Sequence, residues 1–284
     1  MKKHKICKIL LVILAIFLCV AFYELLGICV AYKKQPEVSN TTKKETKNGS
    51  WNECSENTER AVIIEKNPEA LLQRVRLIKN AKKEIILSTF AFQSDESGKL
   101  ILGALHDAAD RGVHIRLLVD GMESWIDMEG NPYFYGLSSH ENVEIKLYNK
   151  ANPLKPWKIM GRMHDKYLIA DGKRYILGGR NTYNYFLGDF PGHKNYDRDV
   201  LVVCDEPEKE NSVNQLLEYF ETIWEQEDSD YFHDNKKLAN RKSVKNAVLE
   251  LQNGYQKYFE ENKERICDID YTDETFATEK IALV

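Results

Sequence analysis

Cysteine is scarce in this chain and carries no pattern. Of six residues, Cys7, Cys19 and Cys29 fall in or beside an apolar amino-terminal run, which leaves Cys54, Cys204 and Cys267. That number is odd, and none of the three stands in a CxxC or Cys/His ligand spacing, so neither a disulfide framework nor a zinc site is indicated. A lipoprotein acylation box is missing as well, because Leu18 and Ile28, not small residues, precede Cys19 and Cys29. An excess of positive charge is also lacking. The 40 basic residues against 44 acidic ones leave a net charge of -4, which argues against a protein that coats nucleic acid by bulk charge. No internal repeat is visible between the halves of the chain.

What is present is enough to build a core. The chain has 284 residues, 43% of them hydrophobic and 11% aromatic, which excludes a disordered protein. From Ile9 to Tyr32 a single charge, Glu24, interrupts an apolar run; as a helix of about 24 residues at ~1.5 Å each it reaches across a bilayer core. Residues 1–32 are therefore expected to be one transmembrane anchor and not a cleaved signal peptide, whose apolar core would be shorter. Lys2, Lys3, Lys5 and Lys8 favour a cytoplasmic amino terminus and a soluble part on the extracytoplasmic side of a cell membrane, although Lys33, Lys34, Lys43, Lys44 and Lys47 pull the other way. Residues 33–60, rich in Lys, Glu, Asn, Ser and Thr, have the composition of a flexible linker.

An α/β rhythm begins near Ala61 and defines a domain over 61–231. Leu71, Val75 and Ile78 recur at helical spacing, EIILSTFAF (84–92) reads as a buried strand, and Ile101, Leu105 and Ala108 restart the helical period up to Gly112. HIRLLVDG (114–121) is the next strand, so this stretch predicts a parallel strand pair with a crossover helix. VEIKLY, YLIA, RYIL and DVLVVC follow as short strands, and NSVNQLLEYFETIWEQ closes with a helix. The expected fold class is α/β, a mixed sheet with helices on both faces, preceded by one transmembrane helix. Residues 232–284 read as a charged helical segment.

Residues 164–181, HDKYLIADGKRYILGGRN, concentrate the chemistry. In a strand, His164 and Lys166 project from one face, which delivers an imidazole and an ammonium into one pocket. Such a pair suits a phosphodiester. A histidine nitrogen can attack phosphorus, while a lysine and an asparagine amide hold the non-bridging oxygens as charge builds up. Gly178 and Gly179 allow close approach of the backbone to a phosphate before Asn181 presents its side chain. Asp171 could orient an imidazole, yet ADGK between two strands is equally the composition of a hairpin turn.

His164-x-Lys166, four residues, Asp171, six residues, Gly178-Gly179-x-Asn181 resembles the HKD motif of the phospholipase D superfamily. AADRGVHIRLLVDG (108–121) and DRDVLVV (197–203) resemble the amino-terminal half of cardiolipin synthase-like bacterial members. One position departs: Gly179 stands where the motif usually has serine, which puts one hydroxyl contact in doubt. The resemblance implies a phospholipase D-like domain over 61–231 that needs no metal or other cofactor. Its implied catalytic residues are His164, Lys166 and Asp171, with Lys166, Gly178, Gly179 and Asn181 binding phosphate. It also implies exchange in two steps: one histidine attacks the phosphodiester, and a second protonates the departing alcohol and then activates water or another alcohol.

Two motifs are therefore needed, and no second HxK with an acid five residues later follows Asn181. IALV at 281–284 resembles the first strand of a second half cut short. Three readings stand. The first is a membrane-anchored phosphatidyltransferase or phosphodiesterase acting on phospholipid, its second histidine supplied by a homodimer or another HKD-bearing half. The second is a single-motif dimeric nuclease, which the acidic balance disfavours, and the third is an inactive remnant that binds phosphate. Tyr183, Tyr185 and Phe186 fit either a core or an acyl entrance. The remaining histidines, His193 among them, and the basic run Lys236, Lys237, Arg241, Lys242 and Lys245 read as solvated or packed.

Overall fold

The structure is a computed structural model that describes residues 2–33, 40, 43–44, 59–204, 211–233, 235–278, 281 and 283. The expected linker over 33–60, and Cys54 within it, fall almost wholly outside the described residues. The chain divides into two compact units, Met1–Asn48 with Ala151–Arg162, and Gly49–Lys150 with Met163–Val284.

The first unit is dominated by α1 (Lys2–Lys33), a helix long and apolar enough to cross a membrane, whose residues from Ile9 to Phe22 are all exposed. Beside it lies the segment 151–162 with a short 3-10 turn at Pro156–Lys158. The Tyr23 hydroxyl donates to the carbonyl oxygen of Leu154 at 2.8 Å.

The second unit is built on a sheet that, among the described residues, has nine strands: β1 (Glu59–Ile64), β2 (Glu84–Thr89), β3 (His114–Asp120), β4 (Val143–Tyr148), β5 (Lys166–Ala170), β6 (Arg174–Gly178), β7 (Asp199–Cys204), β8 (Ser229–Tyr231) and β9 (Phe276–Ala277). Their order is β8-β4-β3-β2-β5-β6-β7-β1-β9. β2, β3 and β4 run parallel, and β2 then pairs antiparallel with β5, which opens an antiparallel run through β6, β7 and β1. The expected crossover helix is α3 (Glu96–Asp110), between β2 and β3; the Asp95 carboxylate accepts from the Gly98 N–H and starts it.

Alternation along the strands sends side chains to two cores. Ile85, Leu87, Ile115, Leu117, Leu168 and Ile176 face one, together with α2 (Asn67–Asn80), α3 and α5 (Pro132–Ser138). Ile86, Leu118, Tyr167, Ile169 and Tyr175 face the other, against Val213, Leu216, Phe220 and Trp224 of α6 (Ser212–Trp224). α4 (Gly121–Asp127) begins directly after β3. Helices thus cover both faces of a mixed sheet.

Residues 232–284 supply α7 (Lys242–Glu261) and α8 (Lys263–Cys267). Val244, Ala247, Leu251, Tyr255 and Phe259 recur every three or four residues along α7 and are all buried, and Val244, Leu251, Tyr255 and Phe259 lie in the first core. A Cβ at Gly103 would come within 2.7 Å of the Leu251 carbonyl oxygen and of the Tyr255 side chain, so α3 and α7 meet at backbone distance because residue 103 has no side chain. At roughly 1.5–3 kcal/mol for each large apolar side chain fully buried, this face is a major part of the core and not an appendage. Beyond it, β9 extends the sheet edge by pairing with β1. Of residues 281–284 only Ile281 and Leu283 are described; neither is in a strand, and both pack against the second core.

Candidate active site

The site lies where the carboxyl ends of β2, β3 and β6 meet the amino ends of β5 and β7. Asp120 closes β3 and does two things there. One carboxylate oxygen accepts from the N–H groups of Met122 and Glu123 and so starts α4; the other accepts from the Met163 N–H at 3.1 Å. Met163 is buried, and its sulfur accepts from the Asp165 N–H at 3.3 Å. The residue before His164 and the residue after it are both pinned, which fixes where the imidazole emerges.

His164 is exposed and precedes the first residue of β5, Lys166. The expectation that both project from one face of a strand is corrected to this extent: His164 lies in the entry to the strand. The spacing still brings the pair together. The Lys166 ammonium donates to the His164 carbonyl oxygen at 2.7 Å, and the Phe90 ring packs against both, its centroid 4.6 Å from the imidazole centroid and 5.3 Å from the ammonium. Lys166 is 5% exposed. Burial pulls its pKa below 10.5, against the opposing pull of Asp165 and Asp197.

Asn181 arrives from the other side of Phe90. Its amide oxygen accepts from the Ala91 N–H at 3.2 Å, and Thr182 forms a parallel bridge with Phe92. The side chain is buried, and its amide also hydrogen-bonds Tyr183. Burial raises the pKa of the Tyr183 hydroxyl, with Tyr185, Glu123 and Asp127 adding to the rise and the Asn181 bond opposing it. Asp127 is itself raised, by burial first, with Glu123 and Asp95 contributing in the same direction and the Gln93 hydrogen bond opposing. The neighbourhood of Asn181 is thus rich in carboxylates.

Between Lys166 and Asn181 run the two glycines. The Tyr167↔Leu177 register sets Lys166 beside Gly178. A Cβ at Gly178 would collide with the Asp199 carboxylate and the Arg198 carbonyl, and one at Gly179 would collide with the Asp197 carboxylate. The missing serine therefore has a local reason: Asp197 occupies the volume that a side chain at 179 would need. Asp197 was not read from sequence as a site residue, although DRDVLVV follows the motif; the structure sets its carboxylate against Gly179, as it sets that of Asp199 against Gly178.

Asp171 is not brought to the imidazole. Five residues of β5 at ~3.3 Å each separate the two ends of the strand, roughly 16 Å. At its own end the Asp171 carboxylate accepts from the N–H groups of Lys82, Lys83 and Glu84, at 2.7–3.1 Å. Its φ of 55° and that of Gly172, 62°, are the two positive values in the three-residue hairpin connection, 171–173, that joins β5 to β6. The role that spacing allowed it as partner of the imidazole is corrected to anchoring the start of β2.

Beneath the motif, Arg180 is buried and donates to the Ile64 and Glu65 carbonyl oxygens and to the Asn67 amide oxygen, and it pairs with Asp199 at 3.3 Å. Arg74 holds the same carboxylate oxygen at 2.9 Å. Of the aromatic cluster, Phe186 is buried, while Tyr183 and Tyr185 are half-buried and pack against the first core. His193 is exposed, its ring against Tyr185. Lys236, Lys237, Arg241, Lys242 and Lys245 are all exposed, while Leu238 and Val244 between them are buried. Among the described residues, no group of three or more His, Cys, Asp or Glu side chains is arranged to hold a metal ion.

Residues 74–224 match the model of the family described as cardiolipin synthase, PLD-like domain. The chain belongs to this family. The match spans the sheet from β2 through β7 and includes residues 164–181. An uncharacterized protein of Helicobacter pylori strain J99 is 30% identical over 212 residues, covering 69% of this chain and 39% of that protein. Cardiolipin synthase C of Escherichia coli K12 is 29% identical over 171 residues, covering 55% of this chain and 34% of that one. The chain thus spans little more than a third of the length of these relatives. A solved structure, NucT from Helicobacter pylori, is similar at a TM-score of 0.48 and 16% identity, over 61% of this chain and 99% of that chain.

Proposed function

We propose that this chain is a membrane-anchored phosphodiesterase or phosphatidyltransferase that acts on phospholipid through a phosphohistidine formed on His164. The observation that carries the reading is Lys166: a buried ammonium, bonded to a carbonyl and resting on an aromatic ring, next to an exposed imidazole. A buried cation calls for a counter-charge, and a phosphodiester beside His164 supplies one.

In this reading His164 attacks phosphorus, Lys166 and the Asn181 amide stabilise the non-bridging oxygens, and Asp197 orients the histidine or its partner. The acid for the leaving alcohol and the base for the acceptor are a second histidine, contributed by another copy of the chain or by a separate HKD-bearing half. Asp95, Glu123, Asp127 and Asp197 tolerate one phosphate held by Lys166 but repel a strand of many, which favours phospholipid over nucleic acid. The family model and the similarity to cardiolipin synthase C point the same way. α1 serves as the anchor, joined through 33–60 to the domain that starts near residue 61, with that domain on the extracytoplasmic side.

Incubation with labelled phosphatidylglycerol followed by acid and base treatment tests the reading. A covalent label that is lost in acid, kept in base and absent from His164→Ala is the expected result; turnover by His164→Ala at the wild-type rate would overturn it.

A further inference from the structure

We infer that the segment 151–162 is a foot that rests in the headgroup layer of an anionic bilayer. The inference depends on the reading above that α1 spans a membrane. It stands on the composition of the segment, on its contact with α1, and on the level of the helix at which that contact is made.

ANPLKPWKIMGR holds three basic residues, Lys155, Lys158 and Arg162, and no acidic one. It also exposes apolar side chains that a water-facing loop has no use for: Leu154 at 77%, Met160 at 51% and Trp157 at 46%. Aromatic rings with a polar edge and long basic stems belong to the membrane–water boundary, where the ring sits among headgroups and the ammonium reaches phosphate. Anionic lipid is the complement of such a surface.

Within its unit the segment meets one face of α1. Gly27 is buried there, and Glu24, Ile28 and Ala31 are half-buried on the same stripe. A Cβ at Gly27 would collide with the Pro156 ring, so the helix accepts this turn only because residue 27 is glycine. The contact has a definite depth. At ~1.5 Å per residue the helix climbs about 29 Å from Lys8 to Gly27, nearly the ~30 Å of a hydrocarbon core. With Lys8 at one boundary, Gly27 and the Pro156 turn stand at the other. Tyr23 and Glu24, an interfacial aromatic and the one charge of the apolar run, fall at that level as well.

The full chain, reconstituted in vesicles of phosphatidylcholine and phosphatidylglycerol, tests the inference through Trp157. Lipids brominated near the headgroup should quench a component of tryptophan emission that disappears in Trp157→Phe, and Gly27→Leu should diminish that component. Lys155→Glu together with Lys158→Glu should remove the rise in quenching as phosphatidylglycerol replaces phosphatidylcholine. Emission of Trp157 insensitive to brominated lipid, in protein that resists alkaline extraction, would overturn the foot and leave the anchor standing. So would a Trp157 shielded from both brominated lipid and aqueous quencher, which would give the segment a protein partner instead. Extraction of the protein by alkali would overturn the anchor reading and the foot with it.

Discussion

The Lys166 ammonium donates to the backbone carbonyl of His164, 2.7 Å away, so the cation of the motif holds the chain at its own histidine. Loss of the lysine thus removes a charge and loosens the entry to β5 together. Lys166→Ala is expected to lower turnover at least ~100-fold, the scale of losing one charge-stabilising donor, and His164→Ala to abolish it. Initial rates on labelled phospholipid measure both.

Stability should move the other way. The pKa of Lys166 is lowered in the folded protein, chiefly by burial, so the charged form destabilises the fold wherever both states are protonated. That cost is complete below the folded pKa and is relieved as pH rises from there towards the unfolded value of 10.5. Lys166→Met should be at least as stable as wild type at pH 7 and should lack the alkaline gain. Urea unfolding between pH 7 and 10 gives the comparison, and a less stable Lys166→Met at pH 7 contradicts it.

Asp171 calls for the reverse pattern. Three backbone N–H groups at the start of β2 end on its carboxylate, and its φ is positive. Asp171→Ala should cost about 2–3 kcal/mol through those bonds and the strained turn, with the activity of the molecules that remain folded unchanged. Thermal unfolding alongside active-site titration separates the two effects.

Restoring the usual serine should lower the proposed activity. Gly179→Ser drives the side chain into the Asp197 carboxylate, which must swing away from Lys166. Turnover should fall while the melting temperature changes little, and Gly179→Ser combined with Asp197→Ala should show no further loss beyond Asp197→Ala alone.

One His164 per chain cannot attack and protonate at once, and general acid catalysis is worth about 10²–10⁴ in rate. Activity of dilute protein in detergent should therefore rise with the square of concentration if a second copy completes the site, and His164→Ala chains should poison wild type. Rescue by an added HKD-bearing half would identify a split enzyme, and a monomer active at every dilution would overturn both.

Sidedness has one usable reporter in the domain. Cys204 is buried, whereas Cys267 is exposed. An impermeant thiol reagent should label intact cells in a background with Cys29 and Cys54 both replaced by serine, since Cys29 is exposed as well, and fail to do so when Cys267 is also replaced. Labelling only after lysis would place the domain in the cytoplasm.

Much of this arrangement was legible because short-range pattern dictates it. β2, α3 and β3 follow from apolar period and turn residues, and so do the bounds of β5, β6 and β7. What escaped depends on partners distant in sequence. The periodicity of α7 is visible in Val244, Leu251 and Tyr255, but that its partner is Gly103 is not. Asp171 fits a motif and a turn equally well until the N–H groups of 82–84 are seen to meet it. Asp197 lies 18 residues beyond Gly179, and no local rule connects them. β8 and β9, of three and two residues, are too short for period to register.

Arg180 stands between Gly179 and Asn181, and its guanidinium ends on the carbonyls of Ile64 and Glu65. The segment matched by the family model begins at residue 74 and ends at 224, so a fragment cut at those limits would retain residues 164–181 and discard three acceptors of that guanidinium, Ile64, Glu65 and Asn67, leaving it Asp199. It would also strip α7 from α3. A buried guanidinium left with donors that no acceptor meets destabilises the fold, and the strand edge at β7, no longer paired with β1, would be open to other chains. The smallest piece of this protein that keeps its core intact is set by where Arg180 ends and by what covers Gly103, and it is considerably longer than its signature.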